Sequence, residues 1–540
     1  MKRRRSSGRK VVTKQPFRPK EDAVEKFLSR YRSLVTGVLS GFDRIVFHGI
    51  LQRLMRHDGM HFLLMDAKVR LLDFKKFALA TTEQLKEASL AEALRKNRPI
   101  MYLDSRVDKQ ELARKMLAKN PIEQGLICVF KAIEPCMTFE YQRSANLAER
   151  GLRLHPGKCL HLYHYWLHPQ FGFMNARIQT WFPFSIQICL NGREWLARQL
   201  LRKGRNDFKR ADNCFTWLGD PKLAQRLMDD QLRTDWPRAL NAIARSINPQ
   251  HQRIFRCSPM DYYWTAFQTE LATDVVFQDP RSLADVYPPL VRYAMDALKS
   301  PDVMRFLAQK APGNFTGEIV TSFKDRAEGV RVKHWLRGNS IKMYDKAGSV
   351  LRVETTIGDP TDFKVFRPLQ NHPKGKRQWL PLRKGVADLY RRAEVSQRSN
   401  HTYLTALAAT GDTKPCSKIF DTVSQPVIDG GRRVRALRLA DANDLALLEA
   451  IARGEFAISG FRNRDIRTRL YPASATDSPI EQRRLAAKVS RQFRILRAHG
   501  LVQKNQKTTR YRLTEQGHTL IAAIFATRNA DIHQLLSKAA

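Results

Sequence analysis

Three short stretches carry the residues best suited to chemistry: Gln268-Thr-Glu270-Leu-Ala272-Thr-Asp274, Tyr344-Asp345-Lys346 and Arg352-Val-Glu354. Read as a strand, the first sends Gln268, Glu270, Ala272 and Asp274 to one face, because side chains alternate. Two carboxylates so close repel each other unless a cation sits between them. Glu354, in the return strand of a hairpin, would add a third carboxylate. Three carboxylates from two strands suit a hard divalent ion, Mg²⁺ or Mn²⁺. Tyr344, Lys342 and Lys346 lie nearby in sequence, at the bend of that hairpin. Plainer readings use the same letters. QTELATDVVF could continue a helix from Tyr262, leaving Glu270 and Asp274 solvated at i and i+4. Asp-Lys-Ala-Gly could be simple turn chemistry, and Glu354 could pair with Arg352 or a neighbouring lysine.

The elements that must hold these residues belong to a long and very basic chain. It has 540 residues, with 94 Lys+Arg against 52 Asp+Glu, a formal charge of +42. At roughly 100–200 residues per domain, about three domains are expected. Hydrophobic content of 43% is enough for packed cores. The charge points to a polyanionic partner: nucleic acid first, an anionic membrane surface second. No apolar run of about 18 residues exists, so no membrane span is expected. The first 20 residues are basic with no apolar segment. They read as a flexible arm, phosphate-touching or merely solubilising, in a cytoplasmic, nucleoid-associated protein. Seven cysteines, with no CxxC, read as buried thiols, neither disulfides nor a zinc site.

The fold class expected is α/β (α+β): a central mixed or antiparallel sheet with helices, followed by a C-terminal winged helix-turn-helix. The spacing predicts a helix from Asp22 to about Leu39, strands at FDRIVFHGIL, GLICVFKAI, KCLHLYHYWLH and FGFMNARIQTWFPFSIQICLNG, and a helix beginning at the Asn191-Gly192 turn. The organisation reads as an arm (1–20), an N-terminal α/β region (21–250), a second α/β domain (251–428), a charged linker (429–439) and a C-terminal module (440–540). In HLYHYWLH, His161 and His164 would point to opposite faces of a strand and could not share a metal. Arg177 and Trp181, in ARIQTWFPF, are the best candidates for stacking on unpaired bases, although core packing is the plainer account. No P-loop, G-x-G-x-x-G or G-x-S-x-G occurs, which disfavours an ATPase, a dinucleotide enzyme or a serine hydrolase.

The last 100 residues or so carry two short helices, then IEQRRLAAKVSRQFRILRAHGLV, then two strands around a basic turn in LVQKNQKTTRYRLTEQG. This resembles the winged-helix regulators, including those of MarR type. The resemblance implies that the third helix enters the major groove and the wing touches the backbone. Arg483, Arg484, Lys488, Arg491, Arg494 and Arg497 would then face DNA from the helix, and Lys504, Lys507 and Arg510 from the wing. A winged helix used for protein contacts or dimerisation is the alternative.

The central stretches resemble rolling-circle replication initiators of the staphylococcal-plasmid and filamentous-phage type. Those carry a D-x-A-x-D strand, then YDK or YEK, then R-x-E. Here the matching residues are Glu270-Leu-Ala272-Thr-Asp274, Tyr344-Asp345-Lys346 and Arg352-Val-Glu354, with Glu for the first Asp. The resemblance implies a divalent metal on Glu270, Asp274 and Glu354, and a tyrosine that forms a covalent 5′-phosphotyrosine link to single-stranded DNA. Tyr344, which fits the YDK position, would be the nucleophile, with Tyr262 and Tyr263 as alternatives, since the YDK tyrosine need not be the one that attacks. Lys342, Lys346 and Arg352 would steer phosphate. Over LVTGVLSGFDRIVFHG, NARIQTWFPFSIQICLNGREWLARQ and GNSIKMYDKAGSVLRVETT the chain also looks like a group of multi-copy bacterial proteins, which would suit a mobile element. The expected partner is DNA rather than RNA, with no membrane, and a homodimer is a further option. A non-enzymatic transcriptional regulator and an RNA-binding protein remain the alternatives.

Overall fold

Tyr263–Phe277 is one fifteen-residue strand, not a helix. Its neighbours explain why. It pairs antiparallel with Val35–Ile50 on one side and Val350–Ile357 on the other, so its backbone is satisfied along both edges. This is a computed structural model, and it describes residues 22–529 except 57, 105, 143–150, 297, 299–301, 304–305, 308–318, 325–329, 370–371, 373–374, 409–415, 454–455, 457–459, 473–477 and 506–507. The expected basic arm and Lys507 lie outside the described residues.

The strands are β1 (Val35–Ile50), β2 (Ile100–Tyr102), β3 (Gly125–Gln142), β4 (Gly151–His168), β5 (Gly172–Gln179), β6 (Ile186–Asn191), β7 (Phe208–Ala211), β8 (Cys214–Leu218), β9 (Tyr263–Phe277), β10 (Val320–Lys324), β11 (Arg331–Leu336), β12 (Asn339–Lys346) and β13 (Val350–Ile357). Eleven of them form one sheet in the order β10-β11-β12-β13-β9-β1-β6-β5-β4-β3-β2. All neighbours are antiparallel except β2 and β3. With helices packed on the sheet, the class is α/β, as expected. The boundary expected at 250 is not a structural division, because β1 pairs with β9 across it. The first helix is also shorter than expected. It spans Asp22–Arg30, and the β-branched, glycine-bearing run from Val35 joins the sheet instead.

The sheet's hairpin at 339–357 turns at Ala347 and Gly348, both in the left-handed region (φ 54° and 76°). Three residues, Ala347, Gly348 and Ser349, link the paired Lys346 and Val350, and glycine adopts such a conformation freely. Tyr344, Asp345 and Lys346 therefore stand in β12 rather than at the bend. The helix Leu389–Leu407 covers the other face of β9 and β13. Its Asn400 donates to the Leu271 carbonyl at 3.0 Å and accepts from Thr355 at 2.6 Å.

The stretch 429–439 is not a free linker. Val427–Asp429 and Arg432–Val434 form a hairpin, and Arg435 holds Asp444 through two 2.7 Å bonds. Beyond it, helices Ala442–Ile451, Asn463–Leu470 and Pro479–Ala498 precede a hairpin (Val502–Lys504 with Tyr511–Leu513) and the helix Glu515–Asn529. Leu448, Phe461, Val489, Phe493, Leu496 and Leu520 form their shared core. Gly500 takes φ 69° just after the long helix, as a C-terminal glycine should. Among the described residues no helix is long and apolar enough to cross a membrane.

Candidate functional site

Strand pairing assembles the site. In β9, Glu270, Ala272 and Asp274 alternate onto one face. In β13, Arg352 stands opposite Asp274 and Glu354 opposite Ala272. In β12, Lys342 stands opposite Glu354 and Tyr344 opposite Arg352. On the other side of β9, the register of β1 slips between Phe42 and Arg44. A bulge of this kind re-aims a side chain, and here it delivers Asp43 to the same face. Carboxylate oxygens of Asp43, Glu270 and Glu354 lie within 4.8 Å of one another.

The site has a sealed half and an open half. In the sealed half Asp274 (1% exposed) takes Arg193 Nη2 at 2.9 Å, Arg352 Nε at 2.6 Å and Arg352 Nη2 at 2.8 Å. Arg352 also donates to Asp43 at 2.9 Å and to the Asn213 carbonyl at 3.1 Å. Burial pushes the Asp274 carboxyl up, but Arg193 and Arg352 outweigh it and hold the group below the usual range. Asp274 is therefore saturated by two guanidiniums, and Asp43 takes the place expected for it among the clustered carboxylates. Arg352, 1% exposed, braces these acids instead of meeting a phosphate.

Arg193 reaches Asp274 because of its helix start. Asn191 caps the helix Gly192–Arg202 by accepting from the Glu194 amide at 2.9 Å. Gly192 lies so close to β1 that a Cβ there would stand 1.7 Å from the Phe42 carbonyl oxygen. Asn191 also donates to Asn213, which donates to Asp43. Asn213 sits in the β7–β8 turn at φ 59°, a conformation asparagine tolerates.

The open half reaches solvent through Arg44 and, to a lesser extent, Lys342, while Glu354 beneath them is 1% exposed. Arg44, with 43% of its side chain exposed, pairs with Glu270 at 2.5 Å. Lys342 Nζ stands 2.8 Å from Glu354 Oε1, and Tyr344 Oη donates to Glu354 Oε2 at 2.9 Å. Burial, then the Glu354 charge, push the Tyr344 phenol well above its ordinary value. Burial likewise raises Asp43, with Arg352 opposing and Glu354 adding to the rise.

The other tyrosines stand elsewhere. Tyr262 is buried, with its hydroxyl on the Phe184 carbonyl and its ring against His251 and Trp264. Tyr263 begins β9, seven residues from Glu270, or roughly 23 Å along an extended strand. Lys346 pairs with Asp212 at 2.5 Å. Arg177 bonds Glu134 at 2.9 Å, and Trp181, half-buried, donates to the Phe139 carbonyl and packs edge-on against Phe74. On the long C-terminal helix Arg483, Arg484, Lys488, Arg491, Arg494 and Arg497 are all exposed, as is Lys504 in the hairpin. Arg510 instead donates to the Gly460 carbonyl at 2.6 Å and lies over the Trp379 ring.

A second group was not legible in the spacing. Cys136 and Cys159 have sulfurs 3.3 Å apart, and both sulfurs and a ring nitrogen of His161 lie within 4.8 Å of one another. The expectation of isolated buried thiols fits Cys128 and Cys214, not this pair. The hydrogen bond between them lowers the Cys136 thiol and raises the Cys159 thiol.

Set beside known proteins, the chain matches no family model, no curated protein and no solved structure.

Proposed function

We propose that this chain acts on DNA: the central sheet transfers a phosphodiester to Tyr344, and the C-terminal helices and hairpin, read as a winged helix-turn-helix, grip the duplex. The observation that carries this reading is the Tyr344 hydroxyl hydrogen-bonded to Glu354, itself one of three clustered carboxylates, in a chain of charge +42. Asp43, Glu270 and Glu354 offer the all-oxygen donor set of a hard divalent ion and would hold Mg²⁺ or Mn²⁺. Such an ion, when bound, supplies positive charge to the phosphate oxygens.

The chain's own residues supply the rest. Tyr344 Oη forms the new bond to phosphorus while its proton passes to Glu354 Oε2. The bond from phosphorus to the 3′ oxygen breaks, that oxygen takes a proton from water, and the hydroxide left is neutralised by the proton that Glu354 releases. The products are a 5′-phosphotyrosyl enzyme and a free 3′ hydroxyl, and reversal rejoins the strand. Lys342, beside both Glu354 and the Tyr344 ring, favours the charge that develops there.

A non-enzymatic regulator is the second reading, and one observation favours it. The four acids Asp43, Glu270, Asp274 and Glu354 already face four cations, Arg44, Arg193, Lys342 and Arg352. Incubation with labelled single-stranded DNA, with and without Mn²⁺, followed by a denaturing gel, separates the two. A metal-dependent band that survives boiling, and is lost in Tyr344→Phe and Glu354→Gln, supports the transferase. No band, with salt-sensitive duplex binding, leaves the regulator. Tighter binding of competitor RNA at matched salt would replace DNA as the partner.

A further inference from the structure

The Cys136, Cys159 and His161 group has the composition of a site for a borderline or soft metal, quite unlike the carboxylate cluster. Its three ligand atoms come from β3 and β4. Glu134 pairs with Cys159 and Ala132 with His161, so alternation brings Cys136, Cys159 and His161 to one face. The sulfur separation of 3.3 Å and the 4.8 Å bound on all three atoms suit ligands that share one ion at bonds of roughly 2.0–2.3 Å. His161 is 2% exposed, and its Nδ1 lies 3.2 Å from the Cys159 carbonyl. A ring that donates there carries its lone pair on Nε2 and is fixed in orientation, as metal-bound imidazoles commonly are.

The position of the group in the sheet gives it a use. β4 pairs with β5 only from His161 to His168, whereas it pairs with β3 back to Gly151. Beyond His161 the two long strands therefore run on as a ribbon in which β4 has β3 as its only strand partner among the described residues. A two-stranded ribbon is marginal by itself. The Cys136, Cys159 and His161 group lies at the point where the ribbon leaves the sheet.

We propose that Cys136, Cys159 and His161 bind one Zn²⁺ ion, with water at the fourth position, and that this ion clamps β3 to β4 at the root of the ribbon. Binding replaces the thiol protons, which pass to solvent, and needs no oxidant. The proposal is independent of the carboxylate site.

The test uses the full chain, reduced and stripped of metal, titrated with Co²⁺ and then Zn²⁺. One equivalent of Co²⁺ is expected to give tetrahedral d–d bands and a thiolate-to-metal charge-transfer band, both erased by one equivalent of Zn²⁺. Zn²⁺ should also shield two thiols from alkylation, identified by mass spectrometry as Cys136 and Cys159. Cys136→Ser and His161→Gln should each lose the charge-transfer band or weaken Zn²⁺ binding at least tenfold. The wild-type spectrum decides the matter even if a variant fails to fold. Absence of the charge-transfer band, protection of other cysteines, or a Cys136–Cys159 disulfide that forms as readily with Zn²⁺ present as without would overturn the proposal.

Discussion

Replacing Asp274 with Asn separates a bracing role from a metal-binding one. Asp274 accepts four hydrogen bonds from two guanidiniums, at 3.2 and 2.9 Å from Arg193 and 2.6 and 2.8 Å from Arg352. All three side chains are at most 1% exposed. Asn keeps the shape but removes the charge, and its amide NH₂ confronts N–H donors. Arg352 keeps Asp43, whereas Arg193 keeps only the Ala272 carbonyl, at 3.3 Å. Breaking one partner out of a buried ion pair costs about 3–5 kcal/mol, and the Asp274→Asn loss should fall in that range. Urea unfolding followed by tryptophan fluorescence reads it, because all eight tryptophans precede residue 380 and only Trp379, under Arg510, is known to touch the C-terminal unit among the described contacts. The midpoint should fall with the slope unchanged. A loss under about 1 kcal/mol, accompanied by loss of metal-dependent activity, would refute the assignment and return Asp274 to the metal.

Three further outcomes follow from other parts of the molecule. Gly192→Ala would drive a Cβ into the Phe42 carbonyl and dislodge Arg193, so it should cost about 3 kcal/mol in the same urea assay. Arg491→Ala with Arg494→Ala removes two exposed cations one turn apart on the same helix face. Duplex DNA binding should weaken, and the slope of log K against log salt should fall by about one for each phosphate no longer neutralised; an unchanged slope would remove this helix from the interface. Burial pushes His164, His334 and His401 down to about 4 from 6.5. The folded state therefore keeps these rings neutral where the unfolded chain protonates them. Their stabilising effect is complete above the unfolded value, near 6.5, and declines as pH falls toward 4, by up to roughly 3 kcal/mol per ring. Unfolding midpoints measured across pH 7 to 4 should show that decline, and it should diminish in His334→Gln.

What the sequence disclosed and what it hid divide along physical lines. Alternation within one strand was legible, which is why Glu270 and Asp274 share a face and Glu354 joins them from β13. Cross-strand register was not. Nothing near Asp43 announces that a bulge in β1 will point it at Glu354 from more than 300 residues away. Arg193 gave only the Asn191-Gly192 turn ahead of a helix, without the strand that helix leans on. Cys136 and Cys159 looked unrelated because a shared strand pairing, not a CxxC spacing, joins them. The expected boundary at 250 failed for the same reason, since antiparallel pairing between β1 and β9 ignores distance along the chain. Helical periodicity in the C-terminal unit depends only on near neighbours, and there Val489, Phe493 and Leu496 are buried as their spacing requires.

The charge balance of the carboxylate site constrains the order in which its ligands arrive. With four acids facing four cations, a divalent ion entering alone would leave the site with two excess positive charges in a partly desolvated pocket, which is costly. A DNA phosphate brings negative charge, and the open half can receive it. Arg44 is 43% exposed on a flexible stem and can turn from Glu270 toward a phosphate, while Lys342 is 17% exposed beside Tyr344. Arg193 and Arg352 have no such freedom, because both are at most 1% exposed and locked on Asp274. In the proposed reaction metal and substrate therefore bind with positive coupling: each neutralises the charge the other introduces, and by linkage each raises the affinity of the other by the same factor. The sealed half then has a definite task. It fixes the acids so that only the cations on the solvent side need to move.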